Sequence, residues 1–357
     1  MKVIHLTLTP LAGAPIRIVD ALNRYTSVTA RLINYNPRAY KTRTFPEDLD
    51  YSNSRDLSKE LIEDADLIHL HHFINPSKNV FGINFSRKKI LRHFHSEPQF
   101  VSRVAQVSVE AILNDPLPSV VIAQYPERYY PFARPLPNLL GPCPSASEVA
   151  ENPFKHLSMP VVSFSPTTLA SGLAERWNTK GSPETVDLLT KLQKSTKFHL
   201  DMFTDIPYNI ALERKGKADI ILDDMVTGSY HLSGLEGLSL GKPTFSYLDQ
   251  RIISLLCSLT GSNSLPWINV HLSRLPEVLE LFIDSEELRE IAGRASKLWV
   301  HSYWNEQKLV KFYLTAYEDV LNGAVRLREA PVNDLYDIAL PDYHWRKNIK
   351  DLNGVLG

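Results

Sequence analysis

The sequence has little of what marks the specialised classes of protein. Its 357 residues include only two cysteines, Cys143 and Cys257, which form neither a disulfide framework nor a cysteine-based metal motif. A net charge of −1 argues against a nucleic-acid-binding protein, which needs a basic surface. No apolar run approaches the roughly 20 residues of a membrane span. No repeat of solenoid period and no low-complexity tract occurs.

What remains is an ordinary globular composition, 43% hydrophobic and 22% charged. A chain of this length exceeds a typical single core, so two domains are expected. The sequence passes directly from Met1-Lys2 into a strand-like run, so we predict no signal peptide and a cytoplasmic location. The basic run Arg87-Lys88-Lys89, with Arg92 nearby, leaves peripheral contact with the inner face of the membrane open, although short basic runs are usually solvated.

Short apolar runs alternate with segments of helical periodicity in two series. Strands are predicted at 3–8, 30–35, 66–73, 89–95 and 120–124, and again at 161–165, 198–203, 218–222 and 244–247. Helices are predicted at 16–25, 57–64, 100–113, 183–192, 208–215, 232–240, 274–282, 285–300 and 306–321. The proline-rich stretch 131–160 between the series is typical of an irregular linker. We therefore predict an α/β protein whose two doubly wound, Rossmann-like domains have parallel sheets and face each other across a cleft.

The most informative stretch runs from Asp223 to Pro243 and indicates a strand end, a glycine-containing loop, a short helix and a final Gly-Lys-Pro. The N-terminus of a helix offers free backbone N–H groups and the positive end of a dipole, which suit a phosphate. Ser233 and Gly234 would supply those N–H groups. Glu236, one turn further, could accept two hydrogen bonds from a sugar diol, as acids do for ribose. The stretch therefore predicts a nucleotide or nucleotide-sugar pocket.

This stretch resembles the donor-site motif of the retaining GT-B glycosyltransferases, in which an acid is followed after seven residues by a glutamate and later by Gly-x-Pro. Glu236 matches the second acid and Gly241-Lys242-Pro243 matches the end, whereas Gly228 stands where the first acid would be. Pro137-Asn138 is also similar to the pair that closes the first domain of that fold. The resemblance covers most of the chain and is strongest from 161 to 321.

The resemblance implies an enzyme that moves a sugar from a nucleotide-diphosphate sugar to a hydroxyl group of a glycan or glycolipid, as in surface polysaccharide or glycoconjugate synthesis. It implies no metal and no cofactor beyond the nucleotide-sugar, which is a co-substrate. Residues 1–155 would form the acceptor-side domain and 156–321 the donor domain. Residues 322–357 would form a tail that, in this family, often crosses back to the first domain.

Four further residues are candidates for substrate contact. Lys180, which precedes Gly181 and Ser182 at a helix entry, could pair with a diphosphate, or it could be a solvated lysine beside a capped surface helix. Arg176 is either a second cation for the diphosphate or a surface residue. Tyr230 either packs in its loop or contacts the donor. Gly13 lies where the resembled family places glycines that approach the substrates.

Histidines and a pair of aspartates complete the candidate chemistry. His69 and His71 lie on one side of a strand, as do His93 and His95, a spacing compatible with zinc. No companion cysteine or acid at ligand spacing supports zinc, and the general interpretation is a hydrogen-bonded core histidine. The resemblance implies that His95 contacts the transferred sugar. The Asp223-Asp224 pair could bind a metal, replace the acid missing at 228, or cap its loop.

Two alternative functions stay open. One is a non-catalytic relative that binds a nucleotide or glycan, because Gly228 replaces an acid of the motif. The other, less favoured, is a nucleotide-sugar epimerase. That chemistry needs several acids around the sugar ring, and the sequence shows too few at matching positions.

Overall fold

In the computed structural model we describe residues 1–39, 45–141, 154–166, 180–328 and 345–354, with only the backbone for Ser77 and 345–348. The chain forms two compact units. Unit 1 comprises residues 1–141 and 306–334, and unit 2 comprises residues 142–305 and 335–357. Within the described ranges, no helix is both long enough and apolar enough to cross a membrane.

The strands, in chain order, are β1 (Lys2–Thr7), β2 (Thr29–Asn34), β3 (Leu49–Asp50), β4 (Leu67–His71), β5 (Lys89–Phe94), β6 (Ser119–Ile122), β7 (Arg134–Leu136), β8 (Val161–Phe164), β9 (His199–Met202), β10 (Ile220–Leu222), β11 (Thr244–Ser246) and β12 (Ile268–Asn269). The α-helices are α1 (Ala14–Tyr25), α2 (Arg55–Asp64), α3 (Pro98–Ala105), α4 (Val109–Leu113), α5 (Ser182–Leu192), α6 (Tyr208–Lys217), α7 (Leu232–Ser239), α8 (Gln250–Thr260), α9 (Leu275–Asp284), α10 (Glu286–Tyr303), α11 (Glu306–Leu321) and α12 (Trp345–Gly354).

Unit 1 is built on a seven-stranded parallel sheet of order β3-β2-β1-β4-β5-β6-β7. The chain moves outward in one direction from β1 to β3 and in the other from β4 to β7, so the order reverses between β1 and β4. Such a switch point leaves a crevice at the carboxyl ends of the two strands, where ligands of open α/β sheets bind. The register places His5 beside His69 and His71 beside His93, so histidines line up across three neighbouring strands.

Unit 2 is built on a five-stranded parallel sheet of order β12-β11-β10-β8-β9. Its order reverses between β8 and β10, which are hydrogen-bonded neighbours in the sheet. The core strands β8 and β10 are short, almost wholly apolar and buried throughout, as is typical of parallel strands covered on both faces. The prediction of an α/β protein with two parallel, doubly wound sheets is therefore confirmed.

Helix α11 packs against α1 and β5 of unit 1 through a buried face that includes Leu309, Val310, Tyr313 and Tyr317. The sequence-based division had placed residues 306–321 in the second domain and a crossing tail at 322–357. In the structure the chain re-enters unit 1 with α11, while α12 packs on α10 in unit 2. Periodicity shows that a helix has an apolar face, but it does not show which sheet covers that face.

Several other segments differ from the sequence-based prediction. The helix predicted at 100–113 is two helices, α3 and α4, because Gln106 adopts a left-handed conformation (φ 54°) that ends α3. The predicted linker contains β7, where Pro135 is tolerated because β7 is an edge strand. Helix α8 was not predicted; the Asp249 side chain caps it by accepting a hydrogen bond from the Ile252 amide.

Candidate functional site

The switch point of unit 2 brings together polar residues from separate parts of the chain. Ser165 directly follows β8 and Asp223 directly follows β10, so both lie at the carboxyl edge of the sheet. The hydroxyl of Ser165 lies 3.1 Å from that of Ser233, which joins the end of β8 to the first turn of α7. The geometry therefore places the start of α7 at the position where this kind of sheet binds ligands.

Lys180 forms a buried ion pair with Asp223 at this edge. Its Nζ donates to Asp223 Oδ1 at 2.7 Å, and the two side chains are 5% and 0% exposed. The His231 amide donates to the other carboxylate oxygen of Asp223 at 2.6 Å. Burial alone raises the pKa of Asp223, but Lys180, His231 and these hydrogen bonds outweigh it and hold the pKa below its usual value. The lysine predicted for a diphosphate is thus already paired with a carboxylate.

Glu236 forms a second buried ion pair, with Lys215 of α6. Lys215 Nζ donates to Glu236 Oε2 at 2.6 Å, and the two side chains are 4% and 6% exposed. Sequence reasoning missed Lys215 because it lies 21 residues upstream in a basic helix end, where a solvated lysine is the usual interpretation. Because Lys215 contacts one carboxylate oxygen, a diol bound by Glu236 would have to use the other.

Asp224 caps its own loop. Its Oδ1 accepts from the amides of Val226 and Thr227 at 2.9 Å each, and its Oδ2 accepts from the Thr227 hydroxyl. This pattern is the loop-capping alternative for the Asp223-Asp224 pair. The two neighbouring aspartates therefore have different roles, one in capping and one in ion pairing.

Gly228 is required by the backbone. Its φ is +80°, a conformation that favours glycine, and a Cβ there would lie 2.8 Å from Asp249 Oδ2. Asp249 in turn accepts from the Ile252 amide at 2.9 Å and caps α8. The local fold therefore leaves no room for the acid that the GT-B motif has at this position.

The first turn of α7 presents the amides predicted to meet a phosphate. Gly234 and Leu235 already donate to the His231 carbonyl, at 3.1 and 3.3 Å, so the first helical amides are those of Leu232 and Ser233. A Cβ on Gly234 would lie 2.5 Å from Asp223 Oδ2, so this glycine allows α7 to approach the ion pair. Ser233 thus lies in the first turn of α7, whereas the Gly234 amide is used within the helix.

Of the remaining candidates in the second half of the chain, Tyr230 has packing contacts and Arg176 lies outside the described residues. Tyr230 is fully buried, with its ring centroid 5.4 Å from that of Trp267 and 5.9 Å from that of Trp304. This is the packing alternative that the sequence left open. Arg176 lies in 167–179, outside the described residues.

In unit 1, Gly13 caps the start of α1 with φ +75°, and a Cβ there would lie 3.0 Å from the Phe45 ring. A small hollow nearby is lined by residues at the ends of β1 and β4, including Thr7, Thr9 and His71. It coincides with the switch point of the first sheet. The loop that holds Gly13 therefore borders a position where ligands of this kind of sheet bind.

The histidines lie next to this hollow. His95, which follows β5 and is partly exposed, has its Nε2 2.9 Å from His71 Nδ1. Among the described residues, two overlapping triads bring imidazole nitrogens within 4.8 Å of one another: His5, His69 and His71, and His71, His93 and His95. Burial lowers the pKa of His95 well below its usual value, as it does for His71. The structure thus connects His95 to the buried histidines, a relation that the strand spacing only suggested.

No protein-family model matches the sequence, and no curated protein matches it. Solved structures do match its fold. A glycosyltransferase from Rickettsia africae ESF-5 is 12% identical, with 90% of this chain and 99% of that chain covered and a TM-score of 0.57. Sucrose-phosphate synthase from Thermosynechococcus elongatus is 11% identical, with 91% and 100% covered and a TM-score of 0.54.

An α-glucosyltransferase in complex with UDP is also similar, with 12% identity, 90% and 99% coverage and a TM-score of 0.52. All three similarities extend over nearly the full length of the solved chains. Together with the two parallel sheets, they establish the α/β fold of the GT-B glycosyltransferases for this chain. At this level of identity the similarity concerns the fold, and the function has to be argued from the site.

Proposed function

We propose that the protein is a glycosyltransferase that binds a nucleotide-diphosphate sugar at the β8/β10 switch point of unit 2. The observation that carries the proposal is the convergence there of Ser165, Lys180, Asp223 and the first turn of α7. A polar, partly charged set of this kind is unusual in a core, and it lies where an open α/β sheet binds ligands. The fold shared with solved glycosyltransferases supports the same conclusion.

The phosphates would lie at the start of α7, where the amides of Leu232 and Ser233 and the helix dipole favour negative charge. Glu236 would accept hydrogen bonds from the ribose diol, with Lys215 orienting its carboxylate. Lys180 would contribute positive potential to the diphosphate, reduced by Asp223. Arg176 is retained as a second cation.

In the reaction, the bond between the anomeric carbon and the diphosphate oxygen breaks, and a bond forms between that carbon and an acceptor hydroxyl oxygen. The hydroxyl proton is released to water, and the departing nucleoside diphosphate gains one negative charge. Amides and cations placed at the diphosphate stabilise that charge as it develops. The proposal includes retention of the anomeric configuration and needs no metal.

In unit 1 the proposal assigns His95 to the transferred sugar and the hollow at the ends of β1 and β4 to the acceptor side. The acceptor would be a glycan or glycolipid of a surface polysaccharide or glycoconjugate pathway. Peripheral contact with a membrane surface would rest on the exposed Arg87 and Lys89, because Arg92 is buried in an ion pair with Asp115. The exposed part of the basic run is therefore small.

A second candidate, a non-catalytic nucleotide-binding relative, is favoured by one observation. The acid of the motif is excluded at Gly228, and two of the charged residues assigned to the donor, Lys180 and Glu236, each have a buried ionic partner. Such a site could hold a nucleotide without activating it. Both candidates share the nucleotide site and differ only in turnover.

Binding and turnover therefore need separate tests. Calorimetric titration with nucleoside diphosphates, beginning with UDP because the similar α-glucosyltransferase was solved with it, should show base-selective binding. Glu236→Gln, which removes the charge and keeps the shape, should weaken binding at least tenfold. The matched control, Glu184→Gln on the exposed face of α5, should leave it unchanged. If the folded protein binds no nucleoside diphosphate, the proposed site is wrong.

Turnover separates the two candidates once binding is established. The transferase predicts slow release of free sugar from a bound nucleotide-sugar in water and faster release with a suitable hydroxyl acceptor. Tight binding with no release of sugar, even over a wide set of acceptors, would favour the non-catalytic relative.

A further inference from the structure

Six side chains of unit 1 form one unbroken hydrogen-bonded chain. It begins at the partly exposed His95, passes through His71 and His5 to Tyr317 of α11, and continues through His69 to His93. The five links are His95 Nε2 to His71 Nδ1 (2.9 Å), His71 Nε2 to His5 Nδ1 (3.0 Å), His5 Nε2 to the Tyr317 hydroxyl (3.3 Å), that hydroxyl to His69 Nδ1 (2.9 Å) and His69 Nε2 to His93 Nδ1 (3.2 Å). We call these six residues the imidazole chain.

The far end of the imidazole chain is closed. His93 is 1% exposed, and its Nε2 has no hydrogen-bond partner among the described residues. No acidic side chain among the described residues is therefore placed to exchange a proton with that atom. At the near end, His95 uses its Nε2 for the link to His71, and its Nδ1 takes part in none of the five links.

The rings of the imidazole chain are neutral. Burial lowers the pKa of His5 to about 3 and lowers the pKa values of His69, His71 and His93 well below the usual value. A neutral imidazole carries one N–H and one bare nitrogen, and a tyrosine hydroxyl has one hydrogen to donate. Each link of the chain requires one hydrogen between its two heavy atoms.

This count leaves only two arrangements that complete all five links and also give the Tyr317 hydrogen an acceptor, because a hydroxyl that accepted from both His5 and His69 would have nowhere in the chain to donate. In the first arrangement His93 carries its hydrogen on Nδ1 and donates to His69. Each following group then donates to the next one along the chain. His95, the last group, accepts at Nε2 and therefore carries its own hydrogen on Nδ1. If His93 carries it on Nε2, every link reverses and His95 carries its hydrogen on Nε2. Within either arrangement all five histidines have the same tautomer.

We propose that the imidazole chain is a positioning device that fixes one shared tautomer in its five histidines, so that the outward Nδ1 of His95 has a single hydrogen-bonding character. A proton cannot leave through the closed end at His93, so the chain cannot reverse by passing a proton along it. His5, His71 and Tyr317 are therefore positioning residues for His95. The contact between His95 Nδ1 and a sugar rests on the proposed function. The shared tautomer does not depend on that function.

The geometry favours this role over a metal site. A metal needs several nitrogen lone pairs that converge on one point. Here the nitrogens oppose one another in pairs, and the rings of His69 and His71 are stacked at 11° with centroids 4.5 Å apart. His71 uses its two nitrogens on opposite sides, toward His95 and toward His5. The structure therefore satisfies these atoms by hydrogen bonds.

The test is ¹⁵N NMR of protein labelled at histidine, in which the two ring nitrogens report the tautomer directly. Signals are assigned by single substitutions such as His95→Gln. The expected result is one tautomer for all five histidines, with couplings across the three N–H···N links. Either shared tautomer supports the proposal. Which of the two is found shows whether His95 Nδ1 is a hydrogen-bond donor or an acceptor. Mixed tautomers would overturn it, as would stoichiometric zinc in protein purified without chelator.

Tyr317→Phe removes the central link without touching His95. The expected result is a change in the ring ¹⁵N shifts of His95, three links away, because the shared tautomer is no longer imposed. A change confined to His5 and His69, the direct neighbours, would overturn the proposal. Tyr313→Phe is the matched control, because that hydroxyl donates to the Pro137 carbonyl outside the chain. If Tyr317→Phe does not fold, the wild-type tautomers still decide, and neither result depends on nucleotide binding.

Discussion

The switch points of the two sheets carry opposite kinds of polar chemistry. In unit 2 the polar groups are charged and paired, Lys180 with Asp223 and Lys215 with Glu236. In unit 1 they are neutral rings joined by hydrogen bonds, as in the link between His71 and His95. Buried charge is tolerated only with a partner, whereas a buried neutral ring needs only its hydrogen bonds completed. The same topology therefore supports paired charges at one switch point and hydrogen-bonded neutral rings at the other.

Acidification should produce the largest difference between the units. An unfolded histidine takes up a proton near pH 6.5, while burial lowers the pKa of the folded His5, His69, His71 and His93. Below pH 6.5 the unfolded state binds more protons, so stability falls with pH by up to about 1.4 kcal/mol per buried histidine and pH unit. Asp223, with a lowered pKa, keeps its contribution until the pH falls below about 3.9.

Hydrogen exchange resolved by segment tests this order between pH 7 and pH 4.5. The strands of unit 1 should lose protection first. Tryptophan fluorescence gives an independent view of unit 2, because all five tryptophans lie in its ranges, at positions 177, 267, 299, 304 and 345. If unit 2 lost its protection at a higher pH than unit 1, the expected difference between the charged and the neutral switch points would be wrong.

Breaking a buried ion pair should have the next largest effect. Lys180→Met leaves the Asp223 carboxylate buried beside an apolar side chain and should lower the free energy of unfolding by about 3–5 kcal/mol. Denaturant titration of the double variant Lys180→Met/Asp223→Asn should show a smaller loss. Lys191→Met, whose partner Asp187 is exposed, is the control and should change stability by less than about 1 kcal/mol.

Restoring the missing acid should damage unit 2 rather than improve it. Gly228→Asp forces a side chain into φ +80° and toward the Asp249 carboxylate, for an expected loss of about 1–3 kcal/mol. Gly261→Asp is the matched control, since Gly261 has φ +70° with no atom within 4 Å of a Cβ. Equal losses in the two variants would show that Asp249 contributes nothing to the exclusion.

Removing the Ser233 hydroxyl should have the smallest effect. Ser233→Ala loses one hydrogen bond, to Ser165, and should lower stability by about 0.5–1.5 kcal/mol. Because the proposed phosphate contact is the backbone amide, affinity for a nucleoside diphosphate should stay within about twofold. A large loss of affinity in calorimetry would instead assign the contact to the hydroxyl.

Much of the fold follows from local pattern. Apolar runs such as Val161–Phe164 and the periodicity of Glu306–Leu321 predict the elements that the structure contains. Local pattern does not assign α11 to a sheet, because that depends on which apolar surface is left to cover. It also missed α8, whose signal is the capping Asp249 directly before the helix.

The site was predictable only in part. The stretch from Asp223 to Pro243 indicated a loop that leads into a helix, and the structure has both. The partners of its charges come from distant segments: Lys215 for Glu236 and Lys180 for Asp223. The imidazole chain likewise joins three strands and α11, a contact set fixed by register rather than by spacing along the sequence.

The central claim is that the charged switch point of unit 2 binds the nucleotide. Hydrogen exchange measured with and without a saturating nucleoside diphosphate tests it most directly. Added protection is expected in residues 223–239 and 180–186, with 67–73 in unit 1 unchanged. Protection confined to the histidine-bearing strands of unit 1, or no protection from any nucleotide, would contradict it.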